Sequence, residues 1–103
     1  MVIVYSKNRV PIRLTAERWG HVVTYHPEMV GQREAVLQTV GEPDLVQRGD
    51  YGAFLAARPY TDTALGEKYL VVAYRETTSE DGFILTAYYT RRLSTQRETV
   101  WKR

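Results

Sequence analysis

Apolar and polar residues alternate most clearly between residues 68 and 92, where two segments rich in β-branched and aromatic residues flank a polar break. Such segments suit a pleated, half-buried surface, and they predict the two strands of a long antiparallel hairpin. The break, residues 77–82, ends in Asp81-Gly82, a pair that readily takes the positive φ of a turn. It is too long for a two-residue loop, so we expect the strands to fray near Glu76 and Phe83.

The two strands of this hairpin differ in how clearly their faces separate. In the second strand, alternation assigns one set to the core, consisting of Phe83, Leu85, Ala87 and Tyr89. It assigns the other set to an open face, consisting of Ile84, Thr86, Tyr88, Thr90 and Arg92. The first strand has no clean polar side, which favours a central position in a sheet.

Helical spacing and helix-boundary signals occur upstream of the hairpin. Thr15 is the expected N-cap of a first helix, and Pro27 ends it at about His26. Trp19, Val22, Val23 and His26 form its apolar stripe. A second helix is predicted from about Gln32 to Val40, closed by Gly41.

Short strands complete the predicted order, which is β–α–α–β–β–β–β with a short tail. They are expected at Val2–Tyr5, Leu45–Arg48 and Ala53–Tyr60, with an extended segment at Val10–Leu14 and a connection at 61–66. This order predicts one α+β domain over residues 1–103, in which two N-terminal helices pack on one face of a four-stranded antiparallel sheet. The first segment is a possible extra N-terminal strand.

Composition narrows the classes of site. The 103 residues include no cysteine, which excludes disulfides, thiolate zinc sites and a cysteine nucleophile. No segment approaches the ~20 apolar residues of a membrane span, and the N-terminus lacks a signal-peptide pattern, so a cytoplasmic location is expected. The net charge is +2, but residues 91–103 alone carry +4. This basic tail is suited to a polyanion or is simply solvated.

Both histidines lie in the first predicted helix. His21 and His26 are five residues apart, hence about 140° apart around the helix axis, which makes them poor joint metal ligands. At a helix end beside Pro27, His26 fits a packed position and a proton-transfer role equally well. His21 is expected at the surface or behind the residues that would contact a substrate.

Metal-free RNA cleavage needs a proton acceptor, a cation for the phosphorane and a proton donor. His26 fits the first or third role. Lys68, Arg58 or Arg75 fits the second, while Tyr88 and Thr90 are suited to hydrogen-bonding the phosphate. The expected further contacts to RNA phosphates are Arg91, Arg92, Arg97 and Lys102.

Three spaced motifs resemble a known superfamily. They are Arg18-Trp19-x-His21 continued by His26-Pro27-Glu28-Met29, then Leu65-Gly66-x-Lys68-Tyr69-Leu70-Val71-Val72, then Gly82-Phe83-Ile84-Leu85-Thr86-Ala87-Tyr88. Together they resemble phage-type nuclease domains of the barnase–EndoU–colicin–RelE superfamily. The block Leu70-Val71-Val72-x-Tyr74-x-Glu76, followed by a turn, a strand and Arg91-Arg92, also resembles the BrnT-type toxins of bacterial toxin–antitoxin pairs. The resemblance covers about Val10 to Lys102.

The resemblance implies a metal-independent, cofactor-free endoribonuclease, toxin-like or phage-associated, that cleaves RNA on the exposed sheet face. The residues it implicates in catalysis are His21, His26, Lys68, Thr86 and Tyr88. RNA, whether tRNA or mRNA, is the implied substrate, and an antitoxin protein is a possible partner. The alternative is a non-catalytic RNA-binding or regulatory module on the same scaffold. A third hypothesis is structural: the Met1–Tyr5 edge strand or the tail pairs with a partner chain.

Overall fold

The computed structural model describes residues 1–62 and 66–103, and within them two α-helices accompany seven strands of one sheet. The helices are α1 (Ala16–Tyr25) and α2 (Arg33–Gly41). The strands are β1 (Val2–Tyr5), β2 (Pro11–Leu14), β3 (Leu45–Arg48), β4 (Phe54–Asp62), β5 (Gly66–Thr78), β6 (Asp81–Thr90) and β7 (Thr99–Lys102). The predicted connection at 61–66 includes residues 63–65, which lie outside the described residues, as does Leu65 of the second motif.

The first helix begins and ends where the local signals predicted. The Thr15 hydroxyl accepts the backbone N–H of Arg18 at 3.0 Å, which satisfies one of the free donors of the first turn. At the other end, the His26 N–H donates to the Val22 carbonyl at 2.8 Å, and Pro27 follows. Val22 is buried, so the apolar stripe of α1 does face the core. Neither described helix is long and apolar enough to cross a membrane.

The prediction of a four-stranded antiparallel sheet behind N-terminal helices is wrong. The strand order is β1-β2-β6-β5-β4-β3-β7, and two strands precede the helices, which therefore lie mid-chain. The sheet is mixed, because β2 runs parallel to β6 while the other neighbours are antiparallel. Both helices pack on one face, where α1 contacts β6 and α2 contacts β5, β4 and β1. The core lies between them and includes Ile12, Val22, Met29, Val36, Val40, Leu70, Val72, Tyr74, Ile84 and Ala87.

Gly82 permits the parallel pairing of β2 with β6. A Cβ at this position would lie 2.6 Å from Cδ1 of Ile12 and would overlap the Arg75 carbonyl oxygen. Gly82 does not have positive φ, so the predicted role in turn conformation is wrong. Its lack of a side chain matters for close packing between strands instead.

The β5–β6 hairpin also differs from its predicted turn. Pairing continues to Thr78 and Asp81, which leaves a two-residue loop, so the expected fraying near Glu76 and Phe83 does not occur. The Thr77 hydroxyl donates to the Asp81 carbonyl at 2.9 Å, and the Thr78 hydroxyl accepts the Glu80 N–H at 3.0 Å. These side-chain bonds substitute for backbone ladder bonds where the pairing is irregular.

A β-bulge in β6 reverses part of the predicted face assignment. Tyr74 pairs with Ile84 while Ala73 pairs with Thr86, so Leu85 is an extra residue between them. Ile84 is therefore fully buried beneath the helices, where an open position was expected, and Phe83 lies on the opposite face, where a core position was expected. Beyond the bulge, Ala87 is buried as predicted. The central position of β5 is confirmed.

The basic tail contains an ordered crossing and a strand. Residues 91–98, which we call the strap, connect β6 to β7 and must cross β5, β4 and β3 to do so. The strap lies on the face opposite the helices, because Gln47 on that face donates its side-chain N–H to the Ser94 carbonyl at 2.8 Å. β7 then pairs with β3, and Trp101 packs against the core.

Candidate functional site

The side of the sheet opposite α1 and α2, which we call the strap face, carries the polar row predicted on β6. Thr86, Tyr88 and Thr90 pair with Ala73, Val71 and Tyr69 of β5, whose side chains alternate with the core residues Leu70 and Val72. The row was expected to lie open. Instead the strap passes over this face, and the side chains of β6 meet the basic residues of the tail there.

A pocket of about 190 Å³ lies where the strap meets β6. Its lining combines strand residues, strap residues and two arginines, and consists of Gln47, Leu55, Val71, Tyr88, Thr90, Arg92, Leu93, Ser94 and Arg97. A larger hollow of about 560 Å³ lies beside the β1–β2 turn, but its lining residues include no histidine. The pocket beneath the strap is the place where the predicted phenol, hydroxyl and guanidinium groups come together.

His26, at the end of α1, contacts one of the residues that line this pocket, Tyr88. Its ring centroid is 5.9 Å from that of Tyr88, with the two planes tilted by 35°. Its Nδ1 lies 3.8 Å from Oε1 of Glu28, within ion-pair distance when the imidazole is protonated. The His26 side chain is about one-third exposed, so it is half-buried between packing and solvent. Both sequence interpretations of His26 are therefore compatible with its position, since its ring packs against Tyr88, which lines the pocket.

Arg97 is fixed in the pocket wall by a bidentate ion pair. Its two Nη atoms lie 3.2 and 3.3 Å from the carboxylate oxygens of Asp50, in the turn between β3 and β4. The hydrogen bonds and the positive charge of Arg97 lower the pKa of Asp50 below its ordinary value, and Asp50 in turn raises the pKa of Arg97. Fork-to-fork pairing of this kind fixes the orientation of the guanidinium as well as its charge.

Tyr88 is the half-buried acid of the pocket. Burial raises the pKa of its phenol above the ordinary value of 10, and the positive charge of Arg97 opposes that rise without cancelling it. Tyr88 therefore stays protonated at neutral pH and remains able to donate a hydrogen bond or a proton.

Two cations predicted for RNA lie on the helix side of the sheet, away from this pocket. Lys68 places its Nζ 4.4 Å from the ring centroid of Tyr89, whose ring partly packs against the core. Arg58 donates to the Glu42 carbonyl at 3.0 Å, at the C-terminal end of α2. This bond satisfies a terminal helix carbonyl, which is a structural use for the guanidinium.

The remaining predicted residues are more dispersed. His21 is exposed on α1, and Arg91 and Lys102 are exposed in the tail, whereas Arg92 lines the pocket. Arg75 lies on the strap face but pairs with Phe83, near the opposite end of β6 from Thr90. Of the residues predicted on the sequence, the structure thus groups His26, Tyr88, Thr90, Arg92 and Arg97.

The residues predicted for the site did not include Asp50, which orients Arg97, or five of the residues that line the pocket, namely Gln47, Leu55, Val71, Leu93 and Ser94. Gln47 and Asp50 lie about fifty residues before the strap, and no local pattern connects a polar strand residue and a turn aspartate to a tail. The only available signal was the isolated apolar Leu93 between polar neighbours, which indicates a residue that packs on the body.

Within residues 1–62 and 66–103, no three His, Asp or Glu side chains converge in a group that could hold a metal ion. Comparison with protein-family models, with curated proteins and with solved structures found no match to this chain. The interpretation of the site therefore depends on its own chemistry.

Proposed function

We propose that this protein is a metal-independent endoribonuclease whose site lies in the pocket beneath the strap. The observation that carries the proposal is the convergence of three chemical types: the His26 imidazole beside the Tyr88 phenol, and Arg92 and Arg97 in the same pocket wall as Tyr88. These are the proton acceptor, the proton donor and the cations that RNA cleavage by 2′-hydroxyl attack requires. A toxin-like or phage-associated role in the cytoplasm belongs to the same proposal.

The proposed reaction begins when His26 takes the proton of the 2′-hydroxyl and the 2′ oxygen bonds to phosphorus. The guanidinium group of Arg92, which makes no ion pair within the described residues, stabilises the negative charge on the phosphorane oxygens, and Arg97, held by Asp50, forms the adjoining part of the pocket wall. Tyr88 gives its proton to the 5′ oxygen as the P–O5′ bond breaks, leaving a 2′,3′-cyclic phosphate. Exchange with solvent returns the proton from His26 to Tyr88. Lys68 takes no part, because it lies against Tyr89 on the other side of the sheet.

The test is cleavage of total RNA and tRNA by purified protein in EDTA. We expect discrete cleavage with 2′,3′-cyclic ends, and a loss of about 10²–10⁴-fold in rate for His26→Ala, the range typical of a general base. His21→Ala, on the exposed surface of the same helix, is the matched control and should keep its activity. Cleavage that survives His26→Ala would contradict this site, and a well-folded wild type that cuts no RNA would contradict the enzyme.

A second candidate, the non-catalytic RNA-binding module, is favoured by the exposed pair Arg91 and Arg92 where β6 ends. Such a module would bind RNA without cutting it. Its affinity would fall in the double variant Arg91→Gln, Arg92→Gln and would fall steeply with salt. Expression in bacteria separates the two candidates further, since a toxin-like nuclease should arrest growth unless an antitoxin protein is present, and His26→Ala should relieve the arrest.

A further inference from the structure

A second feature of the strap face is a row of three side chains across the end of the sheet distant from the pocket. Arg75 of β5 and Arg13 of β2 both pair with Phe83 of β6, one from each side. All three face away from the helices, because their neighbours Ile12, Tyr74 and Ile84 are in the core. The Arg13 guanidinium carbon lies 5.9 Å from the Phe83 ring centroid. The row is thus a half-buried aromatic ring flanked by two arginines.

The two arginines differ in the hydrogen-bond partners of their guanidinium groups. Arg13 makes a bidentate pair with Asp81 at 2.8 and 3.0 Å. The Nε of Arg75 is buried and has no hydrogen-bond partner among the described residues. A buried donor without a partner is uncommon in native proteins and calls for an explanation. The enclosed Nε itself is out of reach of a ligand, but an anion that meets the terminal nitrogens of Arg75 breaks no internal ion pair, whereas at Arg13 it would compete with Asp81.

The row lies on the same face of the same strand as Tyr88. Phe83 and Tyr88 are separated by five positions that include the bulge, so they lie about 15 Å apart along β6. Thr86 lies between them on the same face. At about 3.4 Å per stacked nucleotide, this distance corresponds to roughly four nucleotides of one strand. A chain that occupies both places must therefore run along β6.

We propose that Phe83 and Arg75 form a second contact site for single-stranded RNA, roughly four nucleotides from the bond that is cut. Phe83 stacks on an unpaired base, and Arg75 binds a phosphate of the same strand. A base can stack on a side chain only when it is released from a duplex, so this contact selects single strands. That the ligand is RNA rests on the proposed function, whereas the position of Phe83 and Arg75 on the sheet does not.

The test is fluorescence anisotropy with 2′-O-methylated RNA, which cannot be cut by 2′-hydroxyl attack. A single-stranded hexanucleotide spans both places, and a dinucleotide spans only one. We expect Phe83→Leu and Arg75→Gln each to weaken hexanucleotide binding about tenfold, within the range for loss of one stacked base or one phosphate contact, and to weaken dinucleotide binding less, because a dinucleotide can still occupy the pocket beneath the strap. Phe83→Tyr should restore hexanucleotide affinity, because it keeps a stacking ring. A duplex of the same sequence should bind more weakly than the single strand.

Arg33→Gln is the matched control, since Arg33 is an exposed cation on α2, on the other side of the sheet. Hexanucleotide affinity that is unchanged in both folded variants, or a wild type that binds no hexanucleotide, would overturn the second site. The two proposals can fail separately. If the wild type cuts RNA but the variants bind the hexanucleotide as well as the wild type does, only the second site is removed. If the wild type cuts no RNA but the Phe83 and Arg75 variants bind the hexanucleotide more weakly, only the nuclease proposal is removed.

Discussion

Arg97 and Tyr88 line the same pocket, and the positive charge of Arg97 lowers the pKa of the Tyr88 phenol while burial raises it by more. The two residues come from different elements, the strap and β6, and the ion pair of Arg97 with Asp50 fixes the guanidinium there. Tyr88 is consequently a protonated donor next to a fixed cation, an arrangement suited to a phosphodiester.

This relationship predicts how Tyr88 titrates. In NMR titrations of ¹³C-labelled tyrosine, one resonance that is absent from Tyr88→Phe should titrate above the ordinary pKa of 10. Arg97→Gln should raise that pKa further, since it removes the charge that stabilises the phenolate. Arg33→Gln is the control, because it removes an exposed positive charge on the other side of the sheet. A Tyr88 pKa that falls or stays constant in Arg97→Gln would contradict the electrostatic coupling.

The close packing at Gly82 predicts a destabilising Gly82→Ala substitution. The added methyl group would overlap Cδ1 of Ile12 and the backbone of β5, and we expect a loss of about 1–3 kcal/mol in the free energy of unfolding. Gly20 lies in the middle of α1 with open space around it, so Gly20→Ala should instead raise the free energy of unfolding by about 0.5–1 kcal/mol. Denaturant unfolding measures both. Equal effects of the two substitutions would argue against the close β2–β6 approach.

The bulge in β6 predicts unequal losses of unfolding free energy at the neighbouring positions 84 and 85. Ile84 is fully buried, so Ile84→Ala should cost about 2–5 kcal/mol of unfolding free energy. Leu85→Ala should cost less, because Leu85 is the extra residue of the bulge and is only half-buried. Uninterrupted alternation would reverse this order. Denaturant unfolding of the two variants therefore distinguishes a bulged strand from a regular one.

The Arg13–Asp81 pair predicts a pH-dependent contribution to stability. The hydrogen bonds from Arg13 lower the pKa of Asp81 below its ordinary value of 3.8. A lowered pKa means stabilisation that is complete above pH 3.8 and is lost as the pH falls through the folded-state value. Asp81→Asn should therefore lower the melting temperature modestly at pH 7, as expected for an exposed pair. The difference from wild type should shrink below pH 3.8.

Glu80→Gln is the control for this pH dependence, because Glu80 is an exposed carboxylate in the same turn. Its substitution should leave the melting temperature and its pH profile close to those of the wild type. A difference between Asp81→Asn and wild type that stays constant down to pH 2 would show that the ion pair contributes nothing that protonation can remove.

The local elements follow from short-range features of the amino-acid sequence. Thr15 and Pro27 define α1 through hydrogen bonds and backbone sterics that depend on neighbouring residues alone. Alternation and β-branched composition likewise located β5 and β6, because these signals are properties of the strand itself. The chemistry of His26, Tyr88 and Arg97 could also be read from the sequence as separate candidates.

Which of these candidate residues come together depends on long-range packing. The bulge at Leu85 shifts the face of Ile84 through pairing with β5, and single-strand alternation contains no information about it. The pairing of β2 beside β6 depends on the absence of a side chain at Gly82, more than sixty residues along the chain. The path of the strap follows from β7 pairing with β3, and this pairing brings Arg97 to the pocket of Tyr88. Contacts between residues distant in sequence are set by the packing of whole elements, so they become visible only once the sheet is assembled.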